Sequence, residues 1–502
     1  VPLPPNGSNW PPRALNPINS KIAEWSAWYS GDPQQISDVY TGQAPSGLRG
    51  IVHRVATYVR RWFWGRHVDN GKPKSRVHYP LASDIASASA ALLFAEPPTF
   101  TADIDLDDLL DDDFRAALQE GAEVCAALGG VYLRAVWGTD TSTRLTVIHP
   151  DAAVPTWRDG ELYEVTVWRA IWSDGSRIVR HLEHHSAGLI EHAVYDGTVS
   201  DIGSRVTLSD YPETAGLPDE VETGLGVLAV AYVPNVRPNR IWRAIPEASP
   251  LGVSDFSGLE GMLDQLDLAW SSWMRDVDLG RARLIVPRQY LQGHGPGEGA
   301  SFDVDQEIYE PVSVLGGNEG LDIQLIQPTI RGEEHARVVD ALKRDITSSA
   351  GYSGRSFGLD AETSGPTTAT EVNSLDRKDM IARTKKLRYW APALVHIVRV
   401  LAEVDGTPIT DLTIEWPDGV AIDPESQART LRELHTARAI STEEKVRTLH
   451  PDWGDDQVAD EVQRIRDEDG AATADPEAFG RELAAGELPD DTDDDEAPPV
   501  DE

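Results

Sequence analysis

The 502-residue sequence contains a single cysteine, Cys125. That excludes disulfides within the chain and zinc sites built on cysteine. Cys125, in "GAEVCAALGG" on an expected helix, is read as a small core residue. Long apolar runs are missing too. No window approaches the roughly 18 uninterrupted apolar residues of a membrane span, and the opening "VPLPPNGSNWPPRALNP" lacks the basic-then-apolar order of a secretory signal. The expectation is a protein with no membrane segment, made in the cytosol. Positive charge is scarce, with 45 Lys plus Arg against 83 Asp plus Glu and a formal net charge of −38. Such a surface is not built for tight electrostatic capture of nucleic acid, although brief contact without sticking is compatible with it. The absence of a fixed-period repeat removes solenoids and propellers.

The chain is long enough for two to four domains at roughly 100–200 residues each. Ala471 to Glu502, in "DPEAFGRELAAGELPDDTDDDEAPPVDE" and the residues before it, has little to bury and much like charge, and is expected to be a disordered tail. Fifteen tryptophans, several in clusters such as "EWSAWY" and "RRWFWGR", suit cores or subunit contacts better than ligand stacking.

Local signals set the order of elements. "INSKIAEWSAWYSG" and "YPLASDIASASAALLFAEPP" read as helices, the second stopped where Pro97 and Pro98 withhold amide donors. Asp103 to Leu128 reads as a further helix whose acidic N-terminus, "DIDLDDLLDDDF", lacks the glycine and terminal glutamate of a calcium loop. Alternating runs follow, "GGVYLRAVWG", "RLTVIHP", "ELYEVTVWRAIW", "SRIVRHLEHH" and "GLIEHAVY", separated by "RDGE", "SDGS" and "YDGT". Asp-Gly turns between alternating strands predict an antiparallel meander, closed by a strand in "GVLAVAYVPNV". A long helix is then expected from Val253, with Ser254 as its cap and Phe256, Leu259, Leu263, Leu266, Trp270, Trp273 and Val277 recurring every three or four residues. A small β-rich insert holds "LQGHGPGEGASF", "IYEPVSVL" and "LDIQLIQP", and "RGEEHARVVDALKRDITSSAG" returns as a helix. After a loop rich in Gly, Ser and Thr, Thr368 to Glu371 fit a capping box. The helix they start runs to about Val404, polar in its first half and apolar in its second, with a kink expected at Pro392.

Enzyme-like patterns are few. "GRSFG", Gly354 to Gly358, matches G-x-S-x-G, but a nucleophile elbow needs a strand entering Ser356 and a helix leaving it. Here a helix enters and "LDAETSGP" leaves, so the stretch reads as a flexible loop. His181, Glu183, His184, His185 and His192 are a candidate metal cluster, because residues 181, 183 and 185 share one face of a strand. The polar face of an exposed sheet is the reading preferred over it. "GHGPGEG" is followed by neither Lys-Ser/Thr nor a helix to hold phosphate. No catalytic, cofactor or metal site is therefore expected. A hydrolase using Ser356 or the His181/His185 cluster is the enzymatic alternative.

The order α+β body, long helix, β tip, second helix, flexible loop and kinked long helix resembles the portal proteins of tailed phages. The segments "SPLGVSDFSGLEGMLDQLD", "DITSSAGYSGRSFGLD" and "GPTTATEV" are similar to those of portals from phages of actinobacteria, and the likeness spans about Asn19 to about Asp469. It implies an α+β portal fold with an N-terminal arm (1–18), a wing (19–252), a first stem helix (253–280), a clip (281–331) and a second stem helix (332–350). A tunnel loop (351–367), a kinked tunnel helix (368–404), a strand returning to the wing (405–420) and a helical crown (421–470) precede the acidic tail (471–502). It also implies a dodecameric ring at one capsid vertex, without catalytic activity, through which double-stranded DNA passes during packaging and ejection. Its partners are then further copies of the chain, the DNA, the terminase large subunit, the major capsid and scaffolding proteins and a head-tail adaptor. Its location is the virion, after assembly in host cytoplasm. Another virion ring protein, such as an adaptor, is the alternative, which the length disfavours. By the resemblance, Gly351, Gly354, Arg355, Ser356, Gly358 and Gly365 of the loop and Arg377 and Lys378 of the helix line the channel. Arg383, Lys385, Lys386 and Arg388 are further basic candidates, with salt bridges between subunits as their other role. Leu263, Leu266, Trp270 and Trp273 would lie at the stem interface.

Overall fold

The computed structural model describes residues 3–41, 77–138, 141–279, 283–285, 292–293, 300–301, 324–326, 331–359, 369–417, 431–450 and 453–473. The chain divides into two compact units, Val1–Gly419 and Val420–Glu502.

The first unit mixes helices and antiparallel sheets, an α+β fold. It opens with α1 (Asn16–Ser30), α2 (Pro33–Thr41), α3 (Leu81–Phe94), β1 (Thr99–Ala102) and α4 (Asp112–Leu128). In α1, Ile18, Ile22, Trp25 and Trp28 fall three or four residues apart and are all buried, as are Ala82, Ile85, Ala86 and Leu93 in α3. α4 starts nine residues later than the sequence suggests. Asp111 accepts from the Phe114 amide at 2.9 Å, so the acidic run supplies an N-cap rather than a first turn at Asp103.

The expected meander is split between two sheets. β2 (Gly130–Gly138), β3 (Thr141–Ile148) and β10 (Val230–Pro234) form one in the order β10-β2-β3. β4 (Ala153–Arg158), β5 (Glu161–Ser173), β6 (Arg177–Ser186), β7 (Leu189–Thr198) and β8 (Ser204–Val206) form the other, with β9 (Glu220–Glu222) also on β7. Asp159 and Gly160 turn with φ of 52° and 87°, the conformation a two-residue hairpin needs. "YDGT" behaves differently, because Tyr195 to Thr198 stay inside β7. Gly197 answers a close approach there: a Cβ would stand 2.3 Å from the Asp201 carbonyl oxygen.

Both faces of β6 are covered, which overturns the reading of its histidines as an exposed polar face. His181, His184, His185 and His192 are between 1% and 7% exposed. Buried polar groups need partners. Arg134 donates to Glu183 at 2.9 Å, and His185 Nε2 lies 2.6 Å from the other Glu183 oxygen. His181 Nε2 lies 3.2 Å from His192 Nδ1 with the rings stacked, and Thr166 Oγ1 lies 2.9 Å from His184 Nδ1. Burial pushes the Glu183 carboxyl up, but the charges of Arg134 and His185 outweigh it and hold it well below the usual carboxylate range. Burial pushes His181 down to about 4 and lowers His184 and His192 as well. His181 and His192 meet each other, while His184 and His185 engage Thr166 and Glu183 instead of a common point. Among the described residues no group of three or more His, Cys, Asp or Glu is placed to hold a metal.

After β10 come α5 (Glu260–Leu279), β11 (Arg283–Ile285), β12 (Gln292–Gly293), β13 (Ala300–Ser301), β14 (Gln324–Ile326), α6 (Gly332–Ala350) and α7 (Ala369–Val404). β11 pairs with β14 and β12 with β13, as expected of a small β-rich insert. β15 (Leu412–Glu415) returns to pair antiparallel with β1. α5 begins later than Ser254, which has a different task. Ser254 Oγ and the Asp255 amide both donate to the Ala126 carbonyl, at 3.2 and 3.0 Å, and so satisfy the end of α4. Gly252 permits that approach, since a Cβ on it would stand 2.3 Å from the Gly129 oxygen. Along α5, Leu263 and Leu266 are sealed inside this chain's own core at 1% and 0% exposure, while Trp270 and Trp273 are partly buried. Leu268 and Val277 on α5 and Val338 on α6 are exposed. Near the insert, His335 stacks on Trp273 and, with Arg331, pairs with Asp276.

The second unit contains α8 (Thr442–Leu449) and α9 (Asp455–Thr473). Ser441 accepts from the Glu444 amide as the cap of α8, and Val446, Val458 and Val462 with Trp453 and Ile465 make a small core. α9 continues to Thr473, past Ala471 where the tail was expected to begin. Residues 474–502 lie outside the described residues, as do Gly365 and most of 281–331.

The buried rings make stability depend on pH. The unfolded chain protonates them near pH 6.5, whereas folded His181 does so only toward about 4. In that window the unfolded state binds more protons, so stability is fullest above pH 6.5 and falls as pH drops. Replacing His181 and His192 together by Phe is expected to reduce the loss of melting temperature between pH 7 and pH 5 by about 2–4 °C, read by circular dichroism. An unchanged loss would remove the pair from the acid response.

Candidate functional site

α7 carries six basic residues from Arg377 to Arg388, and packing sorts them. At about 100° per residue, Asp379, Arg383, Lys386 and Trp390 fall on one side and Arg377, Ile381, Lys385 and Arg388 on the other. The first set is buried and the second exposed. The C-terminal half is apolar as expected, with Trp390, Leu394, Ile397, Val398 and Leu401 buried and the helix continuing through Pro392.

Each inward polar group has a specific partner. Lys386 Nζ lies 2.6 Å from Asp255 Oδ2 and 2.6 Å from Ser89 Oγ. Asp255 also accepts from the Tyr352 hydroxyl at 2.6 Å and from Asn235 Nδ2 at 2.8 Å. Burial, with the Asp255 charge beside it, drives the Tyr352 hydroxyl well above its ordinary range and keeps it a donor. Arg383 donates to the carbonyls of Leu92 and Pro417, at 2.8 and 2.6 Å, and so covers the end of α3. Asp379 accepts from the Ser353 amide at 2.8 Å and from Ser356 Oγ at 2.7 Å. Cys125 lies near this cluster, where burial pushes its thiol far up, in keeping with a small core residue.

The Asp379 bonds correct the reading of the loop. Gly351 ends α6 with φ 99°, and residues 354–357 make a 3-10 turn closed by Gly358 at φ 70°. Those signs of φ explain glycine at both positions. The Gly358 amide donates to Arg355 O, Leu359 N to Gly354 O, and Arg344 to Leu359 O. Residues 351–359 are thus a fastened turn rather than a freely flexible loop; residues 360–368 lie outside the described residues. Arg355 is exposed, and Lys378, also exposed, reaches Ser348 at 2.8 Å. Among the described residues the Ser356 hydroxyl has Asp379 and Ser353 as partners rather than the histidine that activates a hydrolase serine. Two clefts of about 320 and 420 Å³ flank Ser356 along the outer side of α3.

Chemically, the arrangement offers a polyanion an exposed cationic row, Arg377, Lys385 and Arg388, on a helix fixed from behind. Sequence reasoning singled out Arg377 and treated Lys385 and Arg388 as further candidates. It missed Asp255, Tyr352 and Asp379. A signal was present for Asp379: it shares a helical face with Trp390, where an unpaired carboxylate would be costly.

A family model described as phage portal protein, SPP1 Gp6-like, matches residues 18–474. Similar solved chains include one in the neck of an empty GTA particle computed with C6 symmetry, at 14% identity and TM-score 0.40, covering 78% of this chain and 98% of that one. Another is in the neck of a native GTA particle computed with C12 symmetry, at 16% identity and TM-score 0.37, covering 82% and 97%. None of the curated proteins matches the sequence. With the family match running from within α1 to just past the end of α9, the chain belongs to the SPP1 Gp6-like family of phage portal proteins.

Proposed function

We propose that copies of this chain close into a ring, a dodecamer, at one vertex of a tailed-phage capsid. Double-stranded DNA passes through its channel during packaging and ejection, and the ring docks the terminase and the head-tail adaptor. The family match over residues 18–474 carries this reading. Under it, the body to about Pro250 is the wing, α5 and α6 are the stem, residues 281–331 the clip, α7 the tunnel helix and residues 421–470 the crown. The part played by the chain is structural: it holds, spaces and guides.

A cyclic ring needs two different complementary faces per subunit. Because Leu263 and Leu266 are used up inside the subunit, the apolar share of that contact falls to Leu268, Val277, Val338 and the open edges of Trp270 and Trp273. DNA phosphates are met in passing by Arg355, Arg377, Lys378, Lys385 and Arg388, all exposed.

Two experiments test these assignments. Leu268→Asp combined with Val338→Asp is expected to give folded monomers with a nearly unchanged melting temperature, seen by native mass spectrometry. Leu266→Asp instead buries a carboxylate and should yield unfolded or aggregated protein. Normal rings from the double variant would move the interface elsewhere.

Arg377→Ala, Lys385→Ala and Arg388→Ala together should leave ring size intact and lower nuclease-protected DNA per head several-fold. Full heads from that triple variant would show that the row does not touch DNA.

A further inference from the structure

Arg180 of β6 is 2% exposed, yet among the described residues its Nε and Nη1 have no hydrogen-bond partner. Nη2 alone is engaged, donating to the Val199 carbonyl at 3.3 Å. Two other inward cations among the described residues are matched by carboxylates, Arg134 by Glu183 and Lys386 by Asp255. Burial lowers the pKa of Arg180 with no carboxylate opposing it. An unpaired buried charge is strongly destabilising.

The surroundings add more unmet donors. The Arg180 guanidinium lies 5.7 Å from the centre of the Trp168 ring, and Trp10 packs edge-on against Trp168 at 6.5 Å. Both indole N–H groups are buried without partners, and so is the Ser8 hydroxyl. Strand register explains the gathering. Arg180 stands opposite Ala170 and Tyr195, and Trp168 opposite Leu182, so all project from one face of the sheet. Residues 3–10 strap that face: Tyr195 donates to Pro4 O, Gly7 N to Gly203 O, Trp10 N to Ser200 O and Ile202 N to Ser8 O.

Apart from the hydroxyl, which also accepts, the unmet groups only donate. A water molecule can accept from two of them but must place its own two protons on acceptors. An oxyanion accepts from several sides and brings the charge Arg180 lacks. We infer that Arg180, with Trp10, Trp168 and Ser8, forms a buried binding site for a small tetrahedral oxyanion of the phosphate or sulfate kind, closed by the strap. The site belongs to the six-stranded sheet and not to α7, so it stands independently of the portal reading.

The test is thermal melting of the full chain in chloride buffer with rising sodium phosphate at constant ionic strength. The wild type should show a saturable rise of several degrees, sulfate should act likewise, and Arg180→Met should lose the rise. No rise in the wild type, or an equal rise in Arg180→Met from general salting-out by phosphate, overturns the proposal. A response to sodium acetate without one to phosphate overturns the tetrahedral assignment. Should Arg180→Met fail to fold, Ser8→Ala removes one donor and must shift the phosphate titration to higher concentration; an unshifted curve counts against the site.

Discussion

The Lys386–Asp255 pair fixes five segments at one buried point. Lys386 comes from α7, Asp255 from the stretch before α5, Ser89 from α3, Asn235 from the end of β10 and Tyr352 from the turn after α6. Burying two charges gains little net stability against an apolar alternative, but removing one partner leaves the other stranded, at a cost of about 3–5 kcal/mol. The pair therefore acts less as glue than as a selector of geometry. Only an arrangement bringing all five segments together satisfies the Asp255 oxygens and the Lys386 ammonium. α5 and α6 consequently leave the core from set positions, and the Asp276 contacts to Arg331 and His335 hold them together near the insert.

The same point fastens the turn after α6 from two directions. Tyr352 is tied to Asp255, and one residue later the Ser353 amide is tied to Asp379, seven residues before Lys386 on the same helix face. With the Ser356 bond to Asp379, the first part of the Gly/Ser-rich stretch becomes an extension of α7's rigid back surface. Composition there reads as freedom, and the structure uses the two positive-φ glycines, Gly351 and Gly358, to make a tight turn instead.

What was legible follows the range of the forces involved. α1, α3, the apolar half of α7 and the β4 to β7 ladder were readable because periodicity and Asp-Gly turns act within a few residues. Ser254 misled because its hydroxyl serves Ala126, 128 positions away, rather than its own helix. Leu263 and Leu266 repeat as an interface stripe would, and sequence cannot tell a surface buried by another subunit from one buried in the core of the same chain. "HLEHH" failed for a related reason. Alternation of polar side chains predicts a wet face only when that face is open, and here Arg134 of the neighbouring sheet supplies the charge that lets Glu183 and its histidines stay inside. The candidate site was half visible: the basic residues of α7 were named, but which of them face outward depends on partners 131 and 291 residues away.

In the proposed DNA channel, that sorting bears directly on how a strongly acidic chain would meet a polyanion. Each phosphate neutralised adds about 0.9 to the salt slope of binding, so affinity climbs steeply with every cation presented. Of the six basic residues from Arg377 to Arg388 on α7, the fold withdraws Arg383 and Lys386 into bonds with carbonyls and Asp255, and draws Lys378 toward Ser348. The row left free is Arg377, Lys385 and Arg388, exposed and screened within a Debye length of about 8 Å at physiological salt. Against a net charge of −38 this is a local attraction in a repelling background. A surface of that kind centres a polyanion without holding it, because moving the polymer by one phosphate breaks and remakes equivalent screened contacts. Had all six side chains faced outward, the contacts would deepen with each added cation and sliding would slow. The buried Lys386–Asp255 pair thus contributes twice, once by fixing the helix and once by removing a charge from the face the helix presents.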